Sequence, residues 1–187
     1  MAHERDFGAV LDGARAGAPW AVAALFEDLQ PRLLRYLRSR DRDAAEDIAA
    51  EVWEAIARGI RSFDGDEAGF RGWAFTIARR RLIDARRRTA RRQTAVSATE
   101  TFDGLPAVDV TDVEAIERLS AEDAVTLITA TLSEEQADVV LLRVVAGVDT
   151  AAVAEMMQRT ETWVRVTQHR ALKKLAETLG PKISAPM

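Results

Sequence analysis

The sequence contains no cysteine and only two histidines, His3 and His169, which lie far apart in the chain. The absence of cysteine excludes disulfides, thiolate metal sites and cysteine nucleophiles. The wide separation of the histidines argues against a histidine metal cluster. We also find no phosphate-binding glycine loop and no nucleophile motif, so the sequence points to no metal, no cofactor and no enzymatic reaction.

Long hydrophobic runs are absent as well. No apolar stretch approaches twenty residues and no signal peptide is recognisable, so we expect a soluble cytoplasmic chain without membrane insertion. Alternating β-branched patterns are scarce, whereas Ala, Leu, Arg and Glu are abundant. This composition predicts an all-α protein, and 187 residues suffice for one large or two small domains.

The positive charge is concentrated in one stretch. Residues 71–92 hold nine arginines against a single acid, Asp84, although the whole chain carries a net charge of −4. Such segregation is typical of a strip that binds a polyanion. A helical apolar stripe runs through the same stretch, which begins with three aromatic residues: Phe70, Trp73 and Phe75. Burial in the core is the ordinary role for each aromatic, and stacking on unpaired bases is the alternative.

A second helix is predicted over residues 43–56, with Asp43 as its N-cap. Its apolar residues recur every four positions, and the opposite face carries three acids: Asp47, Glu51 and Glu54. A solvated face is the ordinary interpretation of this pattern. A carboxylate metal site would need an accompanying histidine motif, which this helix lacks.

The other features of the first half of the chain are less specific indicators of structure. Residues 1–18 read as a lead-in with one short helix around 7–11, and Pro31 predicts a kink or a fresh first turn. Residues 62–69 form a loop with two glycines. Residues 93–113 have no lasting periodicity and read as an acidic, flexible linker. One hypothesis is that this linker folds against the arginine helix and masks it.

The last third of the chain predicts a helix-turn-helix. Ser133 and Gln136 form a capping box, and the helix that they open is predicted to stop at Gly147. Thr150 is predicted to cap a short helix, residues 158–160 form a tight turn, and Thr160 caps the final helix. The pattern is typical of DNA-binding proteins, although ordinary helical hairpins share it.

Three segments carry a family resemblance: "DAAEDIAAEVWEAI", "SFDGDEAGFRGWAFTIARRRLIDARRR" and "LSEEQADVVLLRVVAGVDTAAVAEMMQRTETWVRVTQHRALKKL". Together they resemble a bacterial RNA polymerase sigma factor of the extracytoplasmic-function (ECF) group, which has regions 2 and 4 only. The resemblance implies two all-α domains joined by the acidic linker. The expected division is a lead-in (1–18), region 2 (19–92), a linker (93–113), region 4 (114–179) and a short tail (180–187).

The resemblance also implies roles for individual residues. Three acids would bind the clamp helices of the polymerase β′ subunit: Asp47, Glu51 and Glu54. The −10 promoter element would be bound, and its melting assisted, by Phe63, Asp64, Trp73, Arg79, Arg80, Arg81, Arg86 and Arg87. The −35 element would be bound by Thr162, Trp163, Arg165, Thr167, Gln168, His169 and Arg170. Further partners implied by the family are the polymerase β flap and an anti-sigma factor.

Three positions depart from the family pattern. Ala50 stands where the docking helix usually has glutamine, Arg80 replaces an asparagine, and Trp163 replaces a small residue. The main alternative is a helix-turn-helix regulator that binds duplex DNA without polymerase, which leaves the acidic face and the arginine helix unexplained. A third alternative, an enzyme that uses the carboxylates of residues 43–56, lacks supporting histidines, cysteines or motifs.

Overall fold

The computed structural model describes residues 6–95 and 121–179. Within them the chain is helical with no strand, as the composition predicted. The helices are α1 (Phe7–Arg15), α2 (Pro19–Arg38), α3 (Ala45–Gly59), α4 (Glu67–Ala95), α5 (Ala121–Thr131), α6 (Glu134–Val140), α7 (Thr150–Met157) and α8 (Glu161–Leu179). None of these helices is both long and apolar enough to cross a bilayer. Most of the predicted linker lies outside the described residues.

Helices α1 to α4 form the first helical unit. Its core is filled by large side chains with essentially no exposed surface: Leu29, Leu33, Tyr36, Leu37, Val52 and Phe75. The rings of Tyr36 and Phe75 meet edge to face at 5.6 Å, an arrangement that aromatic quadrupoles favour. The helix predicted around residues 7–11 extends to Arg15 and packs on α2, with Val10 and Leu11 buried.

Two local predictions for this unit were wrong. Asp43 does not cap α3, because the helix begins at Ala45 with Ala44 already in helical conformation; Asp41 instead accepts from the Ala44 amide at 3.1 Å. Pro31 starts no new helix, since α2 runs unbroken through it, so of the two outcomes predicted there the fresh first turn is wrong. Only the bond that its missing N–H would have donated is lost, and the apolar face buried on both sides of it holds the helix together.

Helices α5 to α8 form the second unit. The capping box of Ser133 and Gln136 is present, and the helix that it opens ends in a π-helical turn (Leu141–Val145) before Gly147, whose φ is +70°. Thr150 is not a cap: the carboxylate of Asp149 accepts from the Ala152 amide at 2.7 Å, so that residue caps α7. A carboxylate at this position also interacts favourably with the helix dipole.

The two units contact each other directly. Helix α4 packs against α7, and α2 packs against the π-helical turn. A Cβ atom added to Gly72 would lie 2.9 Å from that of Ala152, so glycine permits the close approach of α4 to α7. The arginine helix therefore runs from the core of the first unit onto the surface of the second.

Candidate nucleic-acid and protein interface

The acidic face of α3 divides into free and paired carboxylates. Asp47 is exposed and makes no ion pair within the described residues, and Glu54 pairs only with Arg58 of its own helix at 3.4 Å. Glu51 is different, because it bridges to Arg81 at 3.6 Å and Arg88 at 3.8 Å and so ties α3 to α4. Two of the three predicted docking acids are therefore open to a partner.

An apolar surface lies beside this acidic face. Trp20, Val22 and Phe26 of α2 are exposed, and the Phe26 ring lies 5.1 Å from that of Trp53 on α3. The indole N–H of Trp53 donates to Gln30 at 2.7 Å, which fixes the ring. This surface was not predicted from the sequence. Exposed apolar groups that adjoin charge are typical of protein-binding surfaces.

The loop between α3 and α4 carries an aromatic shelf formed by Phe63 and Trp73. Their rings are stacked, with centroids 5.1 Å apart and an angle of 20° between the planes. Phe70 supports the shelf from below at 5.7 Å, edge-on to Phe63. Phe70 and Phe75 are buried, whereas Trp73 keeps part of its surface exposed. Of the three aromatics noted in the sequence, only Trp73 can meet a ligand.

The two aspartates of this loop have different roles. The side chain of Asp64 is fully exposed, whereas Asp66 accepts from the Gly69 amide at 2.8 Å and caps α4. The helix therefore begins at Glu67, and the predicted loop of residues 62–69 is shorter than expected. Arg15 of α1 donates to the Phe63 carbonyl, which holds the loop in place. No pattern in the sequence indicates this long-range contact.

The predicted arginines of α4 fall into three groups. Arg79 and Arg86 reach into the second unit, where they meet Asp138 and Glu134. Arg81 pairs with Glu51 of α3. Arg80 and Arg87 are exposed and form no ion pair with any residue in the described part of the chain.

Helices α7 and α8 form the predicted helix-turn-helix. Gln158 ends α7 in the left-handed conformation, with φ 54° and ψ 44°, and this conformation makes the tight turn. The hydroxyl of Thr160 then accepts from the Trp163 amide at 3.2 Å, so the predicted cap is confirmed. The guanidinium of Arg159 lies 5.2 Å from the Trp163 ring centre, which stabilises the turn by a cation–π contact.

The exposed face of α8 presents residues at three- and four-residue intervals: Thr162, Arg165, Val166, His169 and Lys173. Arg170 is exposed beside it, and Arg165 pairs with Glu161 of the same helix at 2.5 Å. Thr167 and Gln168 are half-buried, and Gln168 accepts from Arg143 at 3.4 Å. The sequence analysis missed Lys173, although helical spacing from Thr162 would have identified it.

These features match two established domain types. The family model described as Sigma-70 region 2 matches residues 25–92, and the one described as Sigma-70, region 4 matches residues 122–175. The matches contain the acidic helix, the aromatic shelf and the arginine helix in the first case, and the helix-turn-helix in the second. The class of protein is thus a sigma factor with these two regions.

Curated relatives narrow the class. The chain is 31% identical over 180 residues to the ECF RNA polymerase sigma factor ShbA of Streptomyces griseus subsp. griseus, which covers 90% of this chain and 92% of ShbA. It is 33% identical over 176 residues to the ECF sigma factor SigL of Mycobacterium tuberculosis, which covers 90% and 94% of the two chains. The protein belongs to the ECF RNA polymerase sigma factors.

Two solved structures share the fold. One is CnrH in complex with the cytosolic domain of CnrY, with a TM-score of 0.57, 17% identity, and 91% of this chain and 94% of that chain covered. The other is the sigma factor RpoE of Bartonella quintana in complex with the anti-sigma factor NepR, with a TM-score of 0.60, 21% identity and coverage of 85% and 96%.

Proposed function

We propose that this chain binds core RNA polymerase, directs it to promoters with specific −10 and −35 elements, and assists melting at −10. It acts as a specificity subunit in the cytoplasm and catalyses no reaction itself. The observation that carries the proposal is the coexistence of an open acidic helix face, an aromatic shelf beside arginines and a helix-turn-helix in one sigma-family chain. A regulator that binds only duplex DNA needs neither the open acidic helix face nor the aromatic shelf.

Polymerase docking is assigned to α3. Asp47, which is unpaired within the described residues, and Glu54, which pairs with Arg58 of its own helix, offer exposed carboxylates to a basic partner helix, which we take to be the β′ clamp helices. The apolar surface of Phe26 and Trp53 adds area that a protein partner would bury. Ala50, in the middle of the acidic face, is exposed and adds no polar contact. Region 4 is expected to meet the β flap.

Capture of the −10 element is assigned to the shelf and the loop. A base stacked on an aromatic ring gains about 1–3 kcal/mol, which is comparable to the few kcal/mol that unstacking it costs. Stacking on Trp73 and Phe63 therefore roughly offsets the opening of one step. Two further contacts then favour the captured base. Asp64 can accept a hydrogen bond from the exocyclic amino group of a base, and Arg80 and Arg87 can bind phosphates.

Recognition of the −35 element is assigned to the exposed face of α8. Thr162, Arg165 and His169 lie on one face near the N-terminal half of the helix, which in helix-turn-helix proteins enters the major groove. Arg170 and Lys173 are placed for phosphates. Trp163 is held under Arg159 and supports the turn more than it reads bases.

An anti-sigma factor is the expected regulator. CnrH and RpoE, which share this fold, have been solved with CnrY and the anti-sigma factor NepR respectively. A partner of this type for the present chain would cover the acidic face of α3, the exposed face of α8, or both.

The experiment is a pull-down of purified core RNA polymerase with the wild type and with the double variant Asp47→Arg/Glu54→Arg. We expect the wild type to retain polymerase and the variant to lose it, because like charges then face the basic partner. Glu51 is left unchanged, since its reversal would also break the α3–α4 bridges to Arg81 and Arg88.

The matched control is Glu27→Arg, which reverses a charge on the solvent side of α2 and leaves α3 intact. It should bind polymerase as the wild type does. If the folded wild-type chain retained no polymerase, the proposal would fail and a regulator of duplex DNA would replace it.

A further inference from the structure

The loop between α3 and α4 (residues 60–66) is held at its two ends by local hydrogen bonds. The Phe63 amide donates to the Gly59 carbonyl at 3.1 Å, and Asp66 caps α4 as described above. Between these ends a long-range contact holds the loop, because Arg15 of α1 donates to the Phe63 carbonyl across 48 positions of the chain. A helix that the sequence placed in a lead-in therefore reaches the loop to which base capture is assigned.

Arg15 uses both terminal nitrogens of its guanidinium group. Nη1 donates to the Asp12 carboxylate of the same helix at 3.0 Å. Nη2 donates to the Phe63 carbonyl and lies 3.9 Å from the Asp64 carboxylate. The side chain is 30% exposed, and its Nε is buried without a hydrogen-bond partner within residues 6–95 and 121–179. The planar fork thus holds an acid of α1 on one side and the loop on the other, a geometry that the single nitrogen of a lysine does not reproduce.

Helix α1 is a firm base for Arg15 because it is packed on α2. Leu11 and Ala14 are buried in the core. A Cβ atom added to Gly13 would lie 2.8 Å from the Cβ of Ala21, so the two helices are in close contact at that point. The guanidinium group therefore extends from a fixed backbone, and its contact restrains the loop.

Helix α1 also supports the ring of Phe63. The Phe7 ring lies 5.9 Å from the Phe70 ring, which in turn meets Phe63 edge-on at 5.7 Å. On the loop side, a Cβ atom added to Gly65 would lie 2.9 Å from the tip of the Phe63 ring, so the ring lies directly against the loop backbone there. The carbonyl and the side chain of Phe63 are therefore both held by contacts that begin at α1.

The need for this support follows from the exposure of Asp64. Its side chain is fully exposed, and the next residue is Gly65, which restricts the backbone less than any other residue type. A hydrogen bond to a base edge weakens steeply as its angle departs from linear. An acceptor on an unrestrained loop would meet matched and mismatched bases in many orientations and discriminate poorly. Fixing the preceding carbonyl limits the directions in which the Asp64 carboxylate points.

Helix α1 lies outside the part of the chain that matches Sigma-70 region 2, which begins at residue 25. We propose that Arg15 is a positioning residue for −10 recognition: it holds the Phe63 carbonyl, orients Asp64 and thereby sets how strictly the captured base is selected. The proposal rests on the function proposed above. Arg15 acts through the loop and not on the base, so its loss should relax selectivity at one promoter position. Polymerase docking and −35 recognition should be unchanged.

The first test asks whether Arg15 orders the loop in the free chain. We compare backbone amide NMR order parameters of residues 62–66 in the wild type and in Arg15→Ala. They should fall from about 0.85, typical of rigid backbone, to below about 0.6, typical of flexible backbone. The matched control is Arg61→Ala, which removes one positive charge from the same loop, since Arg61 is exposed and forms no ion pair within the described residues. The control should leave the order parameters at the wild-type level.

The second test measures base selectivity in the polymerase complex. Core RNA polymerase reconstituted with each variant captures strands from a pool of single-stranded oligodeoxynucleotides with a randomised segment, and sequencing gives the base frequencies at each position. In Arg15→Ala the preference at one position should fall on the order of tenfold, since a well-placed base contact is commonly worth about that factor. Preferences at the other positions should be kept. Arg61→Ala should show the wild-type profile, because a phosphate contact carries no sequence information.

Arg15→Lys is a second variant, which keeps the charge and the aliphatic stem and so leaves the packing of α1 intact. It should lie between the wild type and Arg15→Ala in both readouts. Unchanged loop order in Arg15→Ala with native circular dichroism would overturn the proposal. A uniform loss of affinity without a change in preference at one position would do the same. If Arg15→Ala does not fold, wild-type values for Arg15→Lys in both readouts would overturn it.

Failure of the sigma assignment would be visible separately. It would appear as a wild-type chain that retains no polymerase in the pull-down, and the assignment of the loop to −10 DNA would fail with it. The order parameters are measured without polymerase or promoter, so they report independently whether α1 restrains the loop.

Discussion

Helices α4 and α8 are both basic and both proposed to bind DNA, yet they differ in whether their basic side chains are paired with acids of the other unit. On α4, Arg79 and Arg86 are turned onto the second unit and paired there. On α8, Arg165, His169 and Arg170 are exposed, and the one ion pair of Arg165 within residues 6–95 and 121–179 is with Glu161 of its own helix. Arginines are therefore ion-paired across the units in α4 and exposed to solvent in α8.

A cluster of charges in a sequence therefore does not by itself predict that those charges are exposed for binding. Residues 71–92 form the most basic stretch of the chain, but the fold supplies anions for its key members. The free chain should therefore meet DNA first through α8.

The largest expected effect concerns the stability of the two helices. Phe75 on α4 is fully buried against Tyr36, so Phe75→Ala should lower the free energy of unfolding by about 3–5 kcal/mol. Val166 on α8 is exposed, and Val166→Ala should change it by about 0.5 kcal/mol or less. Urea denaturation measures both. Similar losses for the two variants would contradict the assignment of inner and outer faces.

The next effect separates single-stranded from duplex binding. Trp73→Ala should weaken binding of non-template −10 DNA in the polymerase complex by about 1–3 kcal/mol, because a stacking surface is lost. Duplex −35 binding should be unaffected by it and reduced instead by Trp163→Ala, which loosens the turn. Fluorescence anisotropy with the two kinds of DNA gives both values. Each variant is the control for the other. Equal effects of either variant on both DNAs would contradict the assignment of Trp73 to single-stranded DNA and of the Trp163 turn to duplex DNA.

Arginine substitutions in the free chain test whether α8 contributes more than α4 to the binding of duplex DNA. Arg165→Ala/Arg170→Ala should weaken duplex DNA binding and reduce the slope of log affinity against log salt by about one, since Arg170 is placed for a phosphate and about 0.9 is expected per phosphate contact. Arg80→Ala/Arg87→Ala should have a smaller effect, because Arg79 and Arg86 are paired with the second unit and leave Arg80 and Arg87 as an incomplete strip for phosphates. A larger effect from the α4 pair would reverse the order of engagement that we infer.

The smallest expected effect is the same in both helices. Asp66 caps α4 and Thr160 caps α8, each accepting the amide three residues on. Asp66→Ala and Thr160→Ala should each lower the free energy of unfolding by about 1 kcal/mol. Thermal unfolding measures the loss, with Asp64→Ala as the control, since that neighbouring side chain is fully exposed and caps no helix. An equal loss for the control would show that the measured effect is not capping.

Local features of the fold were predictable from the sequence because their causes are local. The capping box of Ser133 and Gln136, the turn at Gln158 and the cap at Thr160 each involve residues within four positions. The wrong caps, Asp43 and Thr150, are each one residue from the true N-cap position, which is Ala44 in α3 and Asp149 in α7. At that distance several polar side chains compete for the same amides.

The candidate site was predictable only in part, because pairing across the chain leaves no pattern in sequence. Asp47 and Glu54 share a helix face by spacing alone, whereas the bridges that occupy Glu51 depend on how α3 and α4 cross. The Arg40–Asp138 pair joins residues 98 positions apart. Charge counting identified the arginines and had no means of finding the acids that hold them.

We propose that this chain gives core RNA polymerase its promoter specificity. The most direct measurement is run-off transcription by core polymerase reconstituted with the chain, on genomic DNA of the organism that encodes it, with start sites mapped. We predict discrete starts that require the chain, share −10 and −35 sequences and disappear with Asp47→Arg/Glu54→Arg. Starts that are absent, or that occur equally without the chain, would contradict the account.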